Sequence, residues 1–298
     1  EFIDYESSVQ IHAGLRIHGR SSRKPMTSPK HSFRLLFKAQ YGDGTLRAPL
    51  FGADAAEGFD TLVLHATSNY SWTFPLVEQR VRAQYTRDAW AKETQRAMGH
   101  ASAHTRYVHL YINGLYWGIY AVSERPDANF MASYFGGRWE DYDVRKGGET
   151  VDGEDRAWRT LLAMSADGFE SEESYAALLD VLDIDNFIDY MILNHYAGNE
   201  NWDYGNWYAA RRRAPGGQWR FFVWDMESIL GRVGENSVFV RHRDRPTELF
   251  HRLRDNPAFR ERFASRVRLH LTGDGVLTPA QAAARYERHA EILESAIL

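Results

Sequence analysis

Residues 105–125, TRYVHLYINGLYWGIYAVSER, alternate apolar and polar side chains on both sides of Asn113-Gly114. Period-two alternation reads as a half-buried strand, and Asn-Gly is the strongest short signal for a two-residue hairpin turn. The stretch therefore predicts two antiparallel strands and marks the first part of the chain as β-rich. Upstream, VQIHAGLRIHG (9–19) and HSFRLLFKAQY (31–41) continue the alternation, with Phe33, Leu35 and Phe37 on one face and Ser32, Arg34 and Leu36 on the other. The polar segment GRSSRKPMTSPK (19–30) between them reads as a loop, giving a strand–loop–strand unit with a basic tip. DTLVLHA (60–66) reads as a buried strand, and the run from Pro75 to Gly99 has the punctuation of one long helix.

The second part changes character. EDRAWRTLLAMSA (154–166), SEESYAALLDVL (171–182) and IDNFIDYMILNHYA (184–197) have helical spacing, with Asp185 read as the cap of the last. Two short strands follow, NWYAARR (206–212) and WRFFVWD (219–225), joined by a turn at Pro215-Gly216-Gly217. Helical patterns fill most of 246–298. The fold class expected is α+β. Residues 1–125 form a β-rich unit with one long helix, and residues 126–298 a mainly helical unit carrying a hairpin.

Composition excludes several functions. The 298 residues suffice for a sizeable core, and the longest apolar runs, such as FFVW and YMIL, are too short to span a bilayer. The abrupt start EFIDYESS reads as a trimmed or mature terminus. Cysteine is absent, so no disulfide, zinc-thiolate site or cysteine nucleophile exists. A net charge of −4 gives no reason to expect nucleic acid as a partner. Residues 241–268 hold nine arginines against four acids; with Phe259, Phe263 and Val267 at helical spacing, this reads as a solvated helix face.

Two Trp-Asp pairs carry the chemistry. Asp203 lies in NENWDYGNWY (199–208) and Asp225 in WRFFVWDMES (219–228), with Glu227 two residues on. Carboxylates at the ends of adjacent elements converge on one cleft, and hard divalent ions take one or two carboxylates plus substrate phosphates. The bland alternative is a pair of turn aspartates. Opposite charge comes from Arg16, Arg20, Arg23, Lys24, Lys30 and Arg34 around Ser21 and Ser22, which together suit a phosphate cradle or, more plainly, a solvated loop. Trp219, on the strand leading to Asp225, is a candidate stacking surface for adenine. HASAH (100–104) has metal-pair spacing without the glutamate of a zinc protease, and Ser21-x-x-Lys24 lacks the partner motifs of a serine–lysine enzyme.

Read in order, five segments resemble the CotH-type kinases, an atypical protein-kinase-like family named for a spore coat protein. They are LRIHGRSSR…PKHSFRLLFK, AMGHASAHTRYVHLYINGLYWGIYAVSER, IDNFIDYMILNHYAGNENWDYGNWY, WRFFVWDMESILG and ELFHRLRDNPAFRERF. The resemblance implies a bilobal kinase-like fold with ATP and Mg²⁺ or Mn²⁺ between the lobes. It implies Lys30 and Arg34 as phosphate contacts, Asp203 as the catalytic aspartate and Asp225 as the metal-binding one. Asn206 stands as a second metal ligand, Glu227 where the family commonly has another aspartate, and Glu124 as a polar anchor in the cleft. A protein with serine or threonine acceptors is the implied partner, and a bacterial cell-surface, extracellular or spore-associated location the implied setting. Two rivals share the residues: a pseudokinase serving as a binding module, and a metal-dependent phosphohydrolase.

Overall fold

The computed structural model describes residues 1–4, 8–200 and 202–297. Phe2–Ile3 (β1) and Ser8–Val9 (β2) pair as a short ribbon, followed by Gly14–His18 (β3) and Ser32–Leu36 (β4). A second ribbon, Leu46–Arg47 (β5) and Gly58–Phe59 (β6), precedes Thr61–His65 (β7). Helices Val77–Arg80 (α1) and Arg87–Ala97 (α2) lead to the hairpin Thr105–Ile112 (β8) and Leu115–Glu124 (β9). Then come Ala128–Phe135 (α3), Tyr142–Lys146 (β10), Glu149–Asp152 (β11), Arg156–Asp167 (α4), Glu172–Leu179 (α5) and Ile184–Tyr196 (α6). Trp207–Arg212 (β12) and Arg220–Val223 (β13) precede Pro246–Leu253 (α7), Pro257–Leu271 (α8) and Pro279–Ile297 (α9). Among the described residues no helix is long and apolar enough to cross a membrane.

The quoted hairpin forms as read. Asn113 and Gly114 both take positive φ, 52° and 78°, as a two-residue hairpin turn of this type requires. It sits at one side of a five-stranded antiparallel sheet of order β3-β4-β7-β9-β8. The register fixes two faces, because directly opposed residues project to the same side. Arg16 pairs Arg34, which pairs Val63, which pairs Ser123; His18 pairs Ser32, and His65 pairs Ala121. These residues share the face turned toward the second sheet. Leu35, Leu62 and Glu124 share the other.

The second sheet has order β11-β10-β12-β13. Val63 joins the two, packing with Phe130, Tyr142, Tyr208, Phe222 and Trp224, whereas Leu62 and Leu64 face Phe37, Leu46, Phe59 and Val122. Strand β7 is thus buried on both faces. The largest core lies on the far side of the second sheet, where Trp207, Trp219 and Phe221 meet α4 and α6.

Four expectations change. The strand expected over 9–19 starts at Gly14, because Val9 pairs with Phe2 instead. The long helix breaks at 81–86, where the Gln84 N–H leaves the helical ladder and donates to the Tyr70 carbonyl at 3.0 Å. Its second part, α2, packs Trp90 and Ala91 into the large core, and the Trp90 indole donates to the Ala282 carbonyl. The cap of α6 is Asp183, accepting from the Asn186 N–H, while Asp185 pairs with Arg262. Finally, β10 and β11, joined at Gly147-Gly148, extend the expected two-stranded hairpin to four strands.

If Phe222 holds the sheets together, Phe222→Ala costs about 3–5 kcal/mol of stability. Tyr111→Ala on the exposed hairpin changes it by less than about 0.5 kcal/mol. Urea midpoints measure both, and equal small shifts would contradict the packing account.

Candidate active site

Strand β13 delivers the first acid. Phe221 enters the large core and Phe222 the inter-sheet core, and the chain then leaves the sheet at Asp225 with φ 59°. The left-handed region is costly for most residues but tolerated by aspartate, and strain of this kind concentrates at functional sites. The next N–H, of Met226, is held by Asp88 at 3.0 Å. Glu227 then turns back under β7, where its two oxygens accept the N–H groups of Ser68 and Asn69 at 3.0 and 2.9 Å.

His65, at the end of β7, completes a cluster. Its Nε2 lies 3.8 Å from Asp225 Oδ1 and its Nδ1 3.5 Å from Glu227 Oε1. Among the described residues no lysine or arginine forms an ion pair with Asp225 or Glu227. Burial, followed by the charge of Asp225, pushes the Glu227 carboxyl well above its ordinary range despite the two N–H donors. Two neighbouring carboxylates without a lysine or arginine partner suit a bound cation.

Cations gather around His18, whose charge environment also includes His65. Arg34 is partly buried, its Nε lacks a hydrogen-bond partner, and burial and Arg125 lower its affinity for a proton. Lys146 ends β10 with its ammonium 5.7 Å from the Tyr208 ring and 5.8 Å from Trp224. Arg125 reaches the Tyr208 hydroxyl at 3.2 Å and pairs with Asp127. His18 is pushed down to about 2 by burial and then by the neighbouring charges of Lys146, Arg34, His65 and Arg125. Lys30 donates to the Ile119 carbonyl and lies 4.5 Å from the Tyr120 ring and 5.8 Å from Tyr85. Tyr85 in turn feels the charge of Glu227. Among the described residues, none of Arg34, Lys146 and Lys30 has a carboxylate in ion-pair contact.

Behind the acids, Lys92 is a buried brace. It pairs with Asp88 at 2.6 Å, donates to Ser123 Oγ at 2.8 Å and sits 4.4 Å from the Trp224 ring. Burial alone would raise Asp88, but Lys92 and His65 outweigh it and hold the carboxyl below its ordinary value.

The structure brings Asp225 and Glu227 together around His65; Arg34 shares the sheet face of His65 through its pairing with Val63, and Lys30 lies beside Tyr120 and Tyr85. Arg16 lies on the same sheet face as Arg34 but is exposed. Ser21 and Ser22 form a 3₁₀ turn, and Ser22 Oγ packs against Gly19; among the described residues neither hydroxyl bonds to Lys30 or Arg34. Asn206 directly precedes β12, and the Trp207–Val223 pairing puts it at the sheet end from which Asp225 emerges. Asn201, the first residue of the Asn-Trp-Asp motif, lies outside the described residues.

Two assignments fail. Trp219 has no exposed surface and meets Trp158 edge-on at 5.2 Å, so no base can stack on it. The same alternation that puts Phe221 and Val223 in the large core puts Trp219 there. Glu124 pairs with Leu62 and so projects from the wrong face. Its carboxylate accepts from the His104 N–H and the Tyr134 hydroxyl, both at 2.8 Å, and ties β9 to α3.

Asp203 is 1% exposed. Its Oδ2 accepts from the Thr247 hydroxyl and from His242 Nδ1 at 2.9 Å, and its Oδ1 from the Thr247 N–H at 3.4 Å. Burial raises its carboxyl, and these donors oppose the rise. The group presented to solvent is His242, whose side chain is 30% exposed and lies 4.4 Å from the Tyr204 ring. A donor at Nδ1 leaves the lone pair of the neutral ring on Nε2. Asp203 therefore stands behind a histidine rather than facing an acceptor directly.

Sequence reasoning missed His65, Lys146 and His242. His65 was findable, because the β7 alternation places it on the face of Val63. The family model described as CotH kinase protein matches residues 15–298. No curated protein matches.

Burial lowers Lys30 from 10.5 to about 8. The unfolded chain holds that proton to higher pH, so this group makes stability rise between about 8 and 10.5. Lysine ¹³Cε NMR should find one resonance titrating near 8 that is lost in Lys30→Met. A Lys30 midpoint at the ordinary value would mean that its ammonium is solvated outside the cleft.

Proposed function

The chain belongs to the CotH kinase protein family, and from that premise we propose that it transfers the terminal phosphoryl group of ATP to a hydroxyl, with protein serine or threonine as the acceptor class. One observation carries the reading. Arg34 and Lys146, which have no carboxylate in ion-pair contact among the described residues, act together with His65 on His18, and His65 lies against two carboxylates, Asp225 and Glu227, that no lysine or arginine pairs. A polyphosphate with a divalent ion is complementary to both sets of groups.

In this reading residues 1–125 and 126–298 are the two lobes of a kinase-like fold, with α2 of the first packed into the core of the second. Arg34 and Lys146 hold the phosphates, Lys30 holds them at the rim, and Arg16 adds charge outside. Asp225 and Glu227, with Asn206 beside them, hold Mg²⁺ or Mn²⁺. The lack of a lysine or arginine partner and the fixed orientation of Glu227 fit that role. A divalent ion held there would offset the charge of the phosphates. The acceptor oxygen forms its bond to the terminal phosphorus as the bond to the bridging oxygen breaks, and ADP leaves. The hydroxyl proton passes to His242 Nε2, with Asp203 holding the tautomer and accommodating the imidazolium. By its family, the protein acts at a bacterial cell or spore surface.

The enclosure of Asp203 favours one second reading, a nucleotide-binding module without turnover. Two aspartate variants and γ-labelled ATP decide between them. Asp225→Asn should remove metal-dependent nucleotide binding and transfer together. Asp203→Asn should leave binding in place and slow transfer by about 10²–10⁴. Label on a protein acceptor supports the kinase, and free phosphate alone supports a phosphohydrolase. Binding without any transfer supports the module, and no binding by the wild-type chain ends all three.

The cations give a separate check. Arg34→Ala should weaken Mn²⁺–ATP by about 1.5–3 kcal/mol, or one to two powers of ten in Kd by calorimetry. Unchanged affinity would remove Arg34 from the phosphate site.

A further inference from the structure

His65 is not required by the phosphoryl-transfer reading, yet β7 places it between the two acids. Its ring nitrogens stand 3.8 Å from Asp225 Oδ1 and 3.5 Å from Glu227 Oε1, too far for hydrogen bonds. Asp225, Glu227 and His65 each offer a ligand atom, all within 4.8 Å of one another. An ion would take one of the two ring nitrogens, and atoms bound about 2.1 Å from it at neighbouring positions stand about 3.0–3.5 Å apart, so the three side chains would draw together around it.

The surroundings hold the three ligands apart. Glu227 is oriented by the N–H groups of Ser68 and Asn69, three and four residues beyond His65 on the same segment. Each of its oxygens keeps a second lone pair. Asp225 is fixed by its left-handed backbone and by the Met226 N–H bond to Asp88. Such outer partners are what orient ligands in metal centres.

We propose that His65 is a direct metal ligand, so that His65, Asp225 and Glu227 form a mixed nitrogen–oxygen site selective for a first-row transition ion such as Mn²⁺ over Mg²⁺. This rests on the cleft being the metal-nucleotide site. Mg²⁺ favours oxygen ligands and keeps its waters, whereas imidazole adds affinity for transition ions.

The test uses the full chain with Mn²⁺ alone, because a nucleotide base would add its own nitrogen. Electron spin-echo modulation of bound Mn²⁺ should carry a directly coordinated ¹⁴N signal that changes to ¹⁵N in protein made with ¹⁵N-histidine. In His65→Gln the nitrogen signal should vanish and the Kd for Mn²⁺ rise about tenfold or more, with that for Mg²⁺ within about twofold. Bound Mn²⁺ without nitrogen coupling, or equal loss of both metals in His65→Gln, overturns the proposal while leaving the acid site standing. Failure of the wild-type chain to bind Mn²⁺, or undiminished binding by Asp225→Asn, overturns the site itself. If His65→Gln does not fold, the isotope comparison in the wild-type chain decides alone.

Discussion

Strand β7 is buried on both faces, and the arrangement of the cleft depends on that burial. Leu62 and Leu64 hold it to the outer core, while Val63 holds it to the second sheet. A strand with two apolar faces cannot slip register by one residue without exposing or clashing both sets. The same register sends His65 into the cleft and aligns Arg34 and Ser123 with Val63. The loop that follows offers its N–H groups to Glu227. One short strand thereby positions groups of both charge signs.

Those charges are poorly matched within the protein itself. Glu227 is buried beside another carboxylate, and Arg34 and Lys30 are partly buried without acids to pair with. Burial of unpaired charge is costly, and sites that accept the cost are commonly those that bind a charged ligand. By contrast Lys92 and Asp88, equally deep, are paired and brace the wall. The difference separates groups kept for structure from groups left open to a ligand.

Much of this was legible from short-range pattern. The 105–124 hairpin followed from alternation and Asn-Gly, and the face carrying Arg34 followed from its neighbours. Trp219 was also legible and was misread, since it alternates with Phe221 and Val223 and so belongs to their core. The β10–β11 hairpin was hidden by its polar sequence, although Gly147-Gly148 is a turn signal. The break at 81–86 and the enclosure of Asp203 were not legible. Each depends on partners distant in sequence, Tyr70 for the Gln84 N–H and the pair His242 and Thr247 for Asp203.

The central claim is that one cleft matches a metal-bound polyphosphate with acids on one wall and cations on the other. A crystal structure with Mn²⁺ and a non-hydrolysable ATP analogue, phased for the anomalous signal of manganese, tests it most directly. The account predicts a manganese peak at Asp225 and Glu227, with the phosphates between it and Arg34 and Lys146. A nucleotide bound elsewhere, or a manganese peak away from both acids, would contradict it.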